Sequence, residues 1–220
     1  MEPTFNLNFG NTMEKTNNIR FLVDVDDVLR NLVPNMIRLY NKEFRTDMKY
    51  DDVGIYYVNQ SFPKLAERYG DATKWFFQDH GHELFAGSEA IDGAVEAVNR
   101  LRDYGTVHIV TKQRSLENKM DTLQWLDDHG VMYDSVSFVT HKSTVCCDVF
   151  IDDFHENFIG CGSEGAVGIL IEAPYNRKLD MELLRQSTNF SRILRYNSIS
   201  EFVSDLEKGK FYFRNVKRYN

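Results

Sequence analysis

Short unbroken apolar runs alternate along the chain with longer segments whose apolar residues recur every three or four positions. The run IRFLVDV (19–25) shows no in–out alternation. That pattern fits a strand covered on both faces, as in a parallel sheet. Over 31–45, Leu32, Met36, Tyr40 and Phe44 fall four apart with Val33 and Ile37 beside them, which predicts an amphipathic helix. The pattern resumes at AIDGAVEAVNRLRDYG (90–105): Ile91, Val95, Val98 and Leu101 mark one helical face and Gly105 a stop. Then follow a strand (106–111), a helix (115–130), strands at 135–140, 148–153 and 166–172, and a closing helix at 198–209. Strands alternating with helices predict an α/β fold, a Rossmann-like parallel sheet with helices on both faces.

One stretch breaks the alternation. From about 46 to 89 the sequence is polar, rich in aromatics and short-periodic, which reads as a small helical insertion. The expected organisation is a loose, polar, Asn-rich leader over 1–18, a core of 19–33 and 90–220, and the insertion at 34–89. A length of 220 residues allows one large domain with an insertion, and 42% hydrophobic content supplies a core. The net charge of -7 disfavours polymeric nucleic acid as a partner. Three cysteines, two of them adjacent (Cys146 and Cys147), fit a reducing, cytoplasmic setting better than a disulfide framework. No apolar run approaches the ~18 residues of a membrane span, and no signal-type apolar core opens the chain. A homodimer is left open.

Ligands of parallel α/β sheets sit at the carboxyl ends of the strands. Those ends carry Asp24, Asp26 and Asp27 after the first strand, Thr111 and Lys112 after the second, Thr140 to Lys142 after the third, and Asp152 with Asp153 after the fourth. Crowded carboxylates repel unless a cation lies between them, and an all-oxygen set suits Mg²⁺. A hydroxyl and an ammonium nearby suit phosphate oxygens. Elsewhere, DHGHE (79–83) reads as a polar Gly-containing turn in preference to a zinc site. Trp75, Phe76 and Phe77 are either a wall for stacking a base or the packed core of the insertion.

The order DVDDVL, IVT, Lys142, FIDD resembles the haloacid dehalogenase superfamily of phosphotransferases, over about 19–33 and 90–172, with 34–89 placed where that superfamily inserts its cap. The resemblance implies Asp24 as the nucleophile forming an aspartyl-phosphate, and Asp26 as the general acid and then base. It implies that Thr111 and Lys142 hold the phosphoryl group, and that Asp153 and Asp152 complete a Mg²⁺ site with Asp24 and the carbonyl of Asp26. Finer features, KSTVCCDVFIDD, GILIEAPYNR and the run from Trp75 to Leu101, are similar to the 5'(3')-deoxyribonucleotidases. That family implies a small phosphorylated substrate, a nucleoside monophosphate, with Trp75, Phe76 and Arg30 as candidates at the base and Lys112 at the phosphate. Four positions depart from its pattern: Asp27 replaces a usual Gly, Leu32 an aromatic of the base pocket, Arg30 a small Ala, and Lys112 a frequent Ser. The alternatives are a phosphatase for a non-nucleotide ester such as a sugar phosphate, or a catalytically silent binding module of the same fold.

Overall fold

A computed structural model describes residues 19–210; the leader expected over 1–18 lies outside them. Six parallel strands form one sheet in the order β3-β2-β1-β4-β5-β6. They are β1 (Ile19–Val23), β2 (Gly105–Thr111), β3 (Ser135–Phe138), β4 (Val149–Asp152), β5 (Val167–Ile171) and β6 (Arg192–Tyr196). Side chains of a strand point alternately to the two faces. Phe21, Val23, Val107, Ile109, Val149, Ile151 and Ile169 enter one core, while Leu22, Val110, Phe150, Leu170 and Ile193 enter the other. The continuous apolar runs are therefore two interleaved faces, both buried.

The α-helices among the described residues are α1 (Leu32–Phe44), α2 (Val58–Ser61), α3 (Pro63–Tyr69), α4 (Ala72–Lys74), α5 (Gly81–Phe85), α6 (Ala94–Leu101), α7 (Leu116–Asp128), α8 (Met181–Gln186) and α9 (Ile199–Glu207). The first face is covered by α6, α7 and α9. The second is covered more thinly, by α8 and the 3-10 turn His155–Phe158. Serine hydroxyls start α7 and α9: Ser115 accepts from the Asn118 N–H and Ser198 from the Glu201 N–H, so otherwise unpaired amides of the first turn are satisfied. None of the described helices is long and apolar enough to cross a membrane.

The chain leaves the sheet after β1 and returns only at α6. Between them α1 to α5 gather around a hydrophobic cluster of their own, including Leu32, Met36, Tyr40, Phe62, Leu65, Trp75, Phe76 and Phe85. Trp75 and Phe76 belong to this interior. Phe76 is wholly buried, 4.9 Å from the Phe62 ring and 5.0 Å from Trp75. Trp75 stacks between Tyr69 and His80. The stacking-wall alternative fails for this pair because burying their rings is what lets several very short helices cohere. DHGHE turns only at His80: Asp79 ends a π-helical stretch (Trp75–Asp79) and Gly81 begins α5.

Two further differences have physical causes. Gly105 does not stop a helix but opens β2, where a Cβ would lie 1.9 Å from the Ile19 carbonyl oxygen; it is the close approach of β1 that needs glycine. The hydrophobic pattern does not announce β6. Two of its five residues are arginines and it lies at the sheet edge, so the apolar signal is diluted.

Phe76→Ala is expected to cost about 3–5 kcal/mol, the usual range for emptying a buried aromatic site. Denaturant unfolding measures it, and a loss under about 1 kcal/mol means that Phe76 does not hold the insertion together.

Candidate active site

In the sheet order, β1 connects outward to β2 on one side while β4 adds on the other. A crevice opens at such a reversal, outside the carboxyl ends of β1 and β4. Asp24 follows β1 directly, and its N–H donates to the Ile151 carbonyl (3.0 Å), so it stays registered on β4. Past Asp24 the chain turns tightly: the amides of Leu29 and Arg30 both donate to the Val25 carbonyl at 2.9 Å. Val25, Val28 and Leu29 plug the core beneath. Asp27 takes a left-handed φ of 54°, which Asp tolerates better than most residues.

The structure brings Asp24, Asp152, Asp153 and Lys142 together as buried polar groups, and it buries Thr111 at the end of β2, the strand next to β1. One oxygen from each of Asp24, Asp152 and Asp153 lies within 4.8 Å of the others. The Lys142 ammonium sits 2.8 Å from Asp24 Oδ2 and 2.7 Å from Asp152 Oδ2. Asp152 is otherwise satisfied: Oδ1 accepts from the Phe154 N–H (2.8 Å), and the Asn157 amide donates to both oxygens. The Asp153 carboxylate accepts from the Tyr175 hydroxyl. Its carbonyl accepts from Asn176 Nδ2 at 2.7 Å. Asp24 Oδ1 and Thr111 Oγ1 are buried with no hydrogen-bond partner. Unpaired buried polar atoms are costly, so these two mark where a ligand belongs.

Charge here is underbalanced. Burial pushes the Asp24 carboxyl up to about 7, against the pull of Lys142. Burial, with the nearby charges of Asp152 and Asp27, holds Asp153 well above the usual carboxylate range. Burial also pushes Asp27 up to about 8 even though its Oδ1 accepts the Val33 N–H. Burial would lower Lys142, but the charges of Asp152 and Asp24 outweigh it and hold the ammonium above its ordinary value.

Asp26 stands beside this group and is held by two side chains: Arg30 donates to Oδ1 and Gln113 Nε2 to Oδ2. Arg30 is not a substrate contact. It is wholly buried, and Phe85 O and Thr122 Oγ1 take its other donors. Lys112 is exposed, whereas its neighbour Gln113 turns in to Asp26. The aromatic side chains that do reach the carboxylates are different ones. Tyr56 stacks on Phe154 with ring centroids 3.4 Å apart and meets Tyr175 edge-on. Burial of its hydroxyl and the charges of Asp153 and Asp24 push the Tyr56 phenol up, although the residue as a whole is 43% exposed. Sequence reading missed Gln113, Tyr56, Phe154, Asn157 and Tyr175. For Phe154 and Asn157 the signal was available, since both follow FIDD within five residues.

Residues 17–206 match the family model described as 5' nucleotidase, deoxy (pyrimidine), cytosolic type C protein. The chain belongs to this family. The description is that of a family of nucleotidases. Over 104 residues the chain is 32% identical to a protein of Chlorobaculum tepidum named "Putative 5'(3')-deoxyribonucleotidase", covering 44% of this chain and 52% of the relative. It therefore spans about half the length of that relative. A nucleotidase of Clostridium acetobutylicum is 24% identical over 174 residues, 76% of this chain and 88% of the relative. The solved structure of a haloacid dehalogenase-like hydrolase from Streptococcus pneumoniae superposes with a TM-score of 0.60 at 12% identity, over 86% of this chain and 98% of that one. The fold is thus that of the haloacid dehalogenase superfamily.

Asp27 allows a check on the charge balance. Its folded carboxyl binds a proton more tightly than the unfolded one, so it costs stability increasingly as pH rises from the unfolded value of 3.8 towards about 8. Asn keeps the acceptor for Val33 and the left-handed backbone without the charge. Asp27→Asn is therefore expected to raise the stability of the metal-free protein at pH 8 by at least about 1 kcal/mol, since each tenfold difference in proton affinity between folded and unfolded chain is worth about 1.4 kcal/mol. At pH 5 the gain should shrink. Thermal melts in chelator at both pH values test this, and an equal change at both contradicts it.

Proposed function

We propose that the chain hydrolyses the phosphomonoester of a (deoxy)nucleoside monophosphate, with Asp24 as nucleophile, Asp26 as acid and base, and Mg²⁺ as cofactor. The observation that carries this reading is the pair of buried, unpartnered oxygens, Asp24 Oδ1 and Thr111 Oγ1, beside the buried Lys142. An acceptor-only carboxylate oxygen, a hydroxyl donor and an ammonium are what an incoming phosphoryl group requires.

Lys142 fixes Asp24 through Oδ2, which leaves Oδ1 to attack phosphorus. As the P–O bond to Asp24 forms, the ester P–O bond breaks, and Asp26 delivers a proton to the departing oxygen. Thr111 and Lys142 donate to the phosphoryl oxygens while charge builds there. Water then attacks phosphorus, Asp26 takes its proton, and phosphate leaves with Asp24 restored. The donor set fits a hard divalent cation: three buried carboxylates within 4.8 Å of one another outnumber the one buried ammonium. Asp24 and Asp153 would hold the ion, with Asp152, already occupied by Lys142, Asn157 and the Phe154 amide, acting through water. When bound, Mg²⁺ would supply positive charge to the carboxylates and the phosphoryl oxygens.

The insertion, 34–89, is read as a cap that selects the leaving group. It carries Tyr56 over Phe154 and Tyr175, aromatic faces of the kind on which a base stacks. The names of the relatives support a nucleotide as substrate.

Two outcomes are expected. Asp24→Asn, nearly isosteric, should lower kcat by at least about 10³-fold, because an amide is a poor nucleophile, with circular dichroism unchanged. Chelation should abolish phosphate release, Mg²⁺ should restore it, and Mg²⁺ should raise the Tm, since it binds only the folded carboxylate cluster. Phosphate release from a panel of nucleotides and sugar phosphates is the measurement. Full activity after exhaustive chelation refutes the cofactor, and a preference for sugar phosphates refutes the nucleotide.

A further inference from the structure

Arg30 poses a problem of cost. A guanidinium with no exposed surface loses several kcal/mol of hydration, and an apolar side chain of similar volume would be less costly there. Its donors are not scattered. Nε and Nη2 converge on a single oxygen, Asp26 Oδ1, at 2.9 and 2.6 Å. Nη1 donates to the Phe85 carbonyl at 3.0 Å, and Nη2 also reaches Thr122 Oγ1 at 3.3 Å. The rings of Phe85 and Trp125 flank the guanidinium at 5.0 and 5.3 Å. The other Asp26 oxygen, Oδ2, accepts from Gln113 Nε2 at 2.9 Å. The amide presents its NH₂ here. Both oxygens of Asp26 are thus fixed by fully or nearly buried donors, one on each side.

Arg30 also stands where the insertion joins the core. The Asn31 N–H donates to the Glu89 carbonyl and the Ile91 N–H to the Leu29 carbonyl, so the outgoing and returning chains are laced together on either side of it. Phe85, whose carbonyl it binds, ends α5.

We propose that Arg30 and Gln113 are positioning residues for Asp26: together they aim its carboxyl at the leaving oxygen, Arg30 from the insertion side and Gln113 from the sheet side. The inference rests on the reading of Asp26 as general acid. It assigns Arg30 a purpose that substrate contact cannot supply, since the side chain has no exposed surface and each of its three nitrogens is already bonded within the protein. It also makes the seating of α5 a condition for proton delivery, because the Phe85 carbonyl is one of the anchors of the guanidinium.

The test uses leaving groups. An alkyl phosphomonoester needs its departing oxygen protonated, whereas p-nitrophenyl phosphate releases a stable anion and hardly does. kcat/KM reports only the steps up to loss of the leaving group, so it isolates the acid role of Asp26 from its later role as base. Wild type, Asp26→Ala, Gln113→Leu, Arg30→Lys and Arg30→Met are compared on both esters with Mg²⁺, each checked for folding by thermal melt. A positioned general acid contributes about 10²–10⁴-fold, so Gln113→Leu is expected to lower kcat/KM for the alkyl ester by about tenfold or more and for the aryl ester by less than about threefold. Arg30→Lys should fall between it and wild type, because one ammonium cannot span Asp26, Phe85 and Thr122 together. An equal loss on both esters in Gln113→Leu, while Asp26→Ala loses the alkyl ester far more than the aryl one, overturns the positioning role alone. An equal loss on both esters in Asp26→Ala too overturns Asp26 as acid, and wild type that cleaves neither ester overturns the hydrolase reading. Gln113 keeps the question decidable should Arg30→Met fail to fold.

Discussion

The site turns on one ammonium. Lys142 is buried between Asp24 and Asp152 and bonded to both. Four carboxylates are buried here, those of Asp24, Asp27, Asp152 and Asp153, and the ammonium pairs with only two of them; Arg30 is committed to Asp26. In a low-dielectric pocket the surplus negative charge cannot persist unanswered, and it is relieved by protons or by a cation. The raised carboxyls of Asp24, Asp153 and Asp27 show the first form of relief. A divalent cation would be the second, and under the proposed function it would serve a phosphoryl group whose own oxygens need the same positive charge. In that reading, crowding that would be a liability in an inert core becomes affinity for a metal and a phosphate.

The sheet makes this crowding tolerable. Reversal of strand order at β1 and β4 opens a crevice at their ends, and two buried cores hold the strands that frame it. The loop after β1 uses alternate residues for alternate purposes: Asp24 and Asp26 serve the site while Val25, Val28 and Leu29 fasten the turn to the core. Rigid support of this kind is what holds an attacking carboxylate within reach of phosphorus.

The parts of the site legible in the sequence are those that lie on regular elements or end them. Asp24, Thr111, Lys142, Asp152 and Asp153 close or follow apolar runs, and periodicity locates such runs well. β6 escaped because its arginines break the apolar run at the sheet edge. Arg30 was misread for a different reason. A charged residue next to a site is ordinarily expected to face it, and only the tertiary structure reveals Phe85 O and Thr122 Oγ1 waiting in the interior. Gln113 was hidden by Lys112, whose charge drew attention although its side chain is exposed.

The aromatic residues of the insertion divide by where they sit. Three of its helices are very short, α2, α4 and α5 running to five residues or fewer, and isolated helices of that length do not form in water. They need large buried rings, and Trp75, Phe76, Phe62 and Phe85 fill that need. Rings so committed cannot also face a substrate. Tyr56 is free to do so because it lies outside the helices, in the link before α2, with its support drawn from Phe154 on the core. That contact crosses from insertion to core directly after Asp153. The insertion is thus tied to the carboxylate cluster by two physical contacts, Tyr56 on Phe154 and the Phe85 carbonyl on Arg30, which in turn holds Asp26.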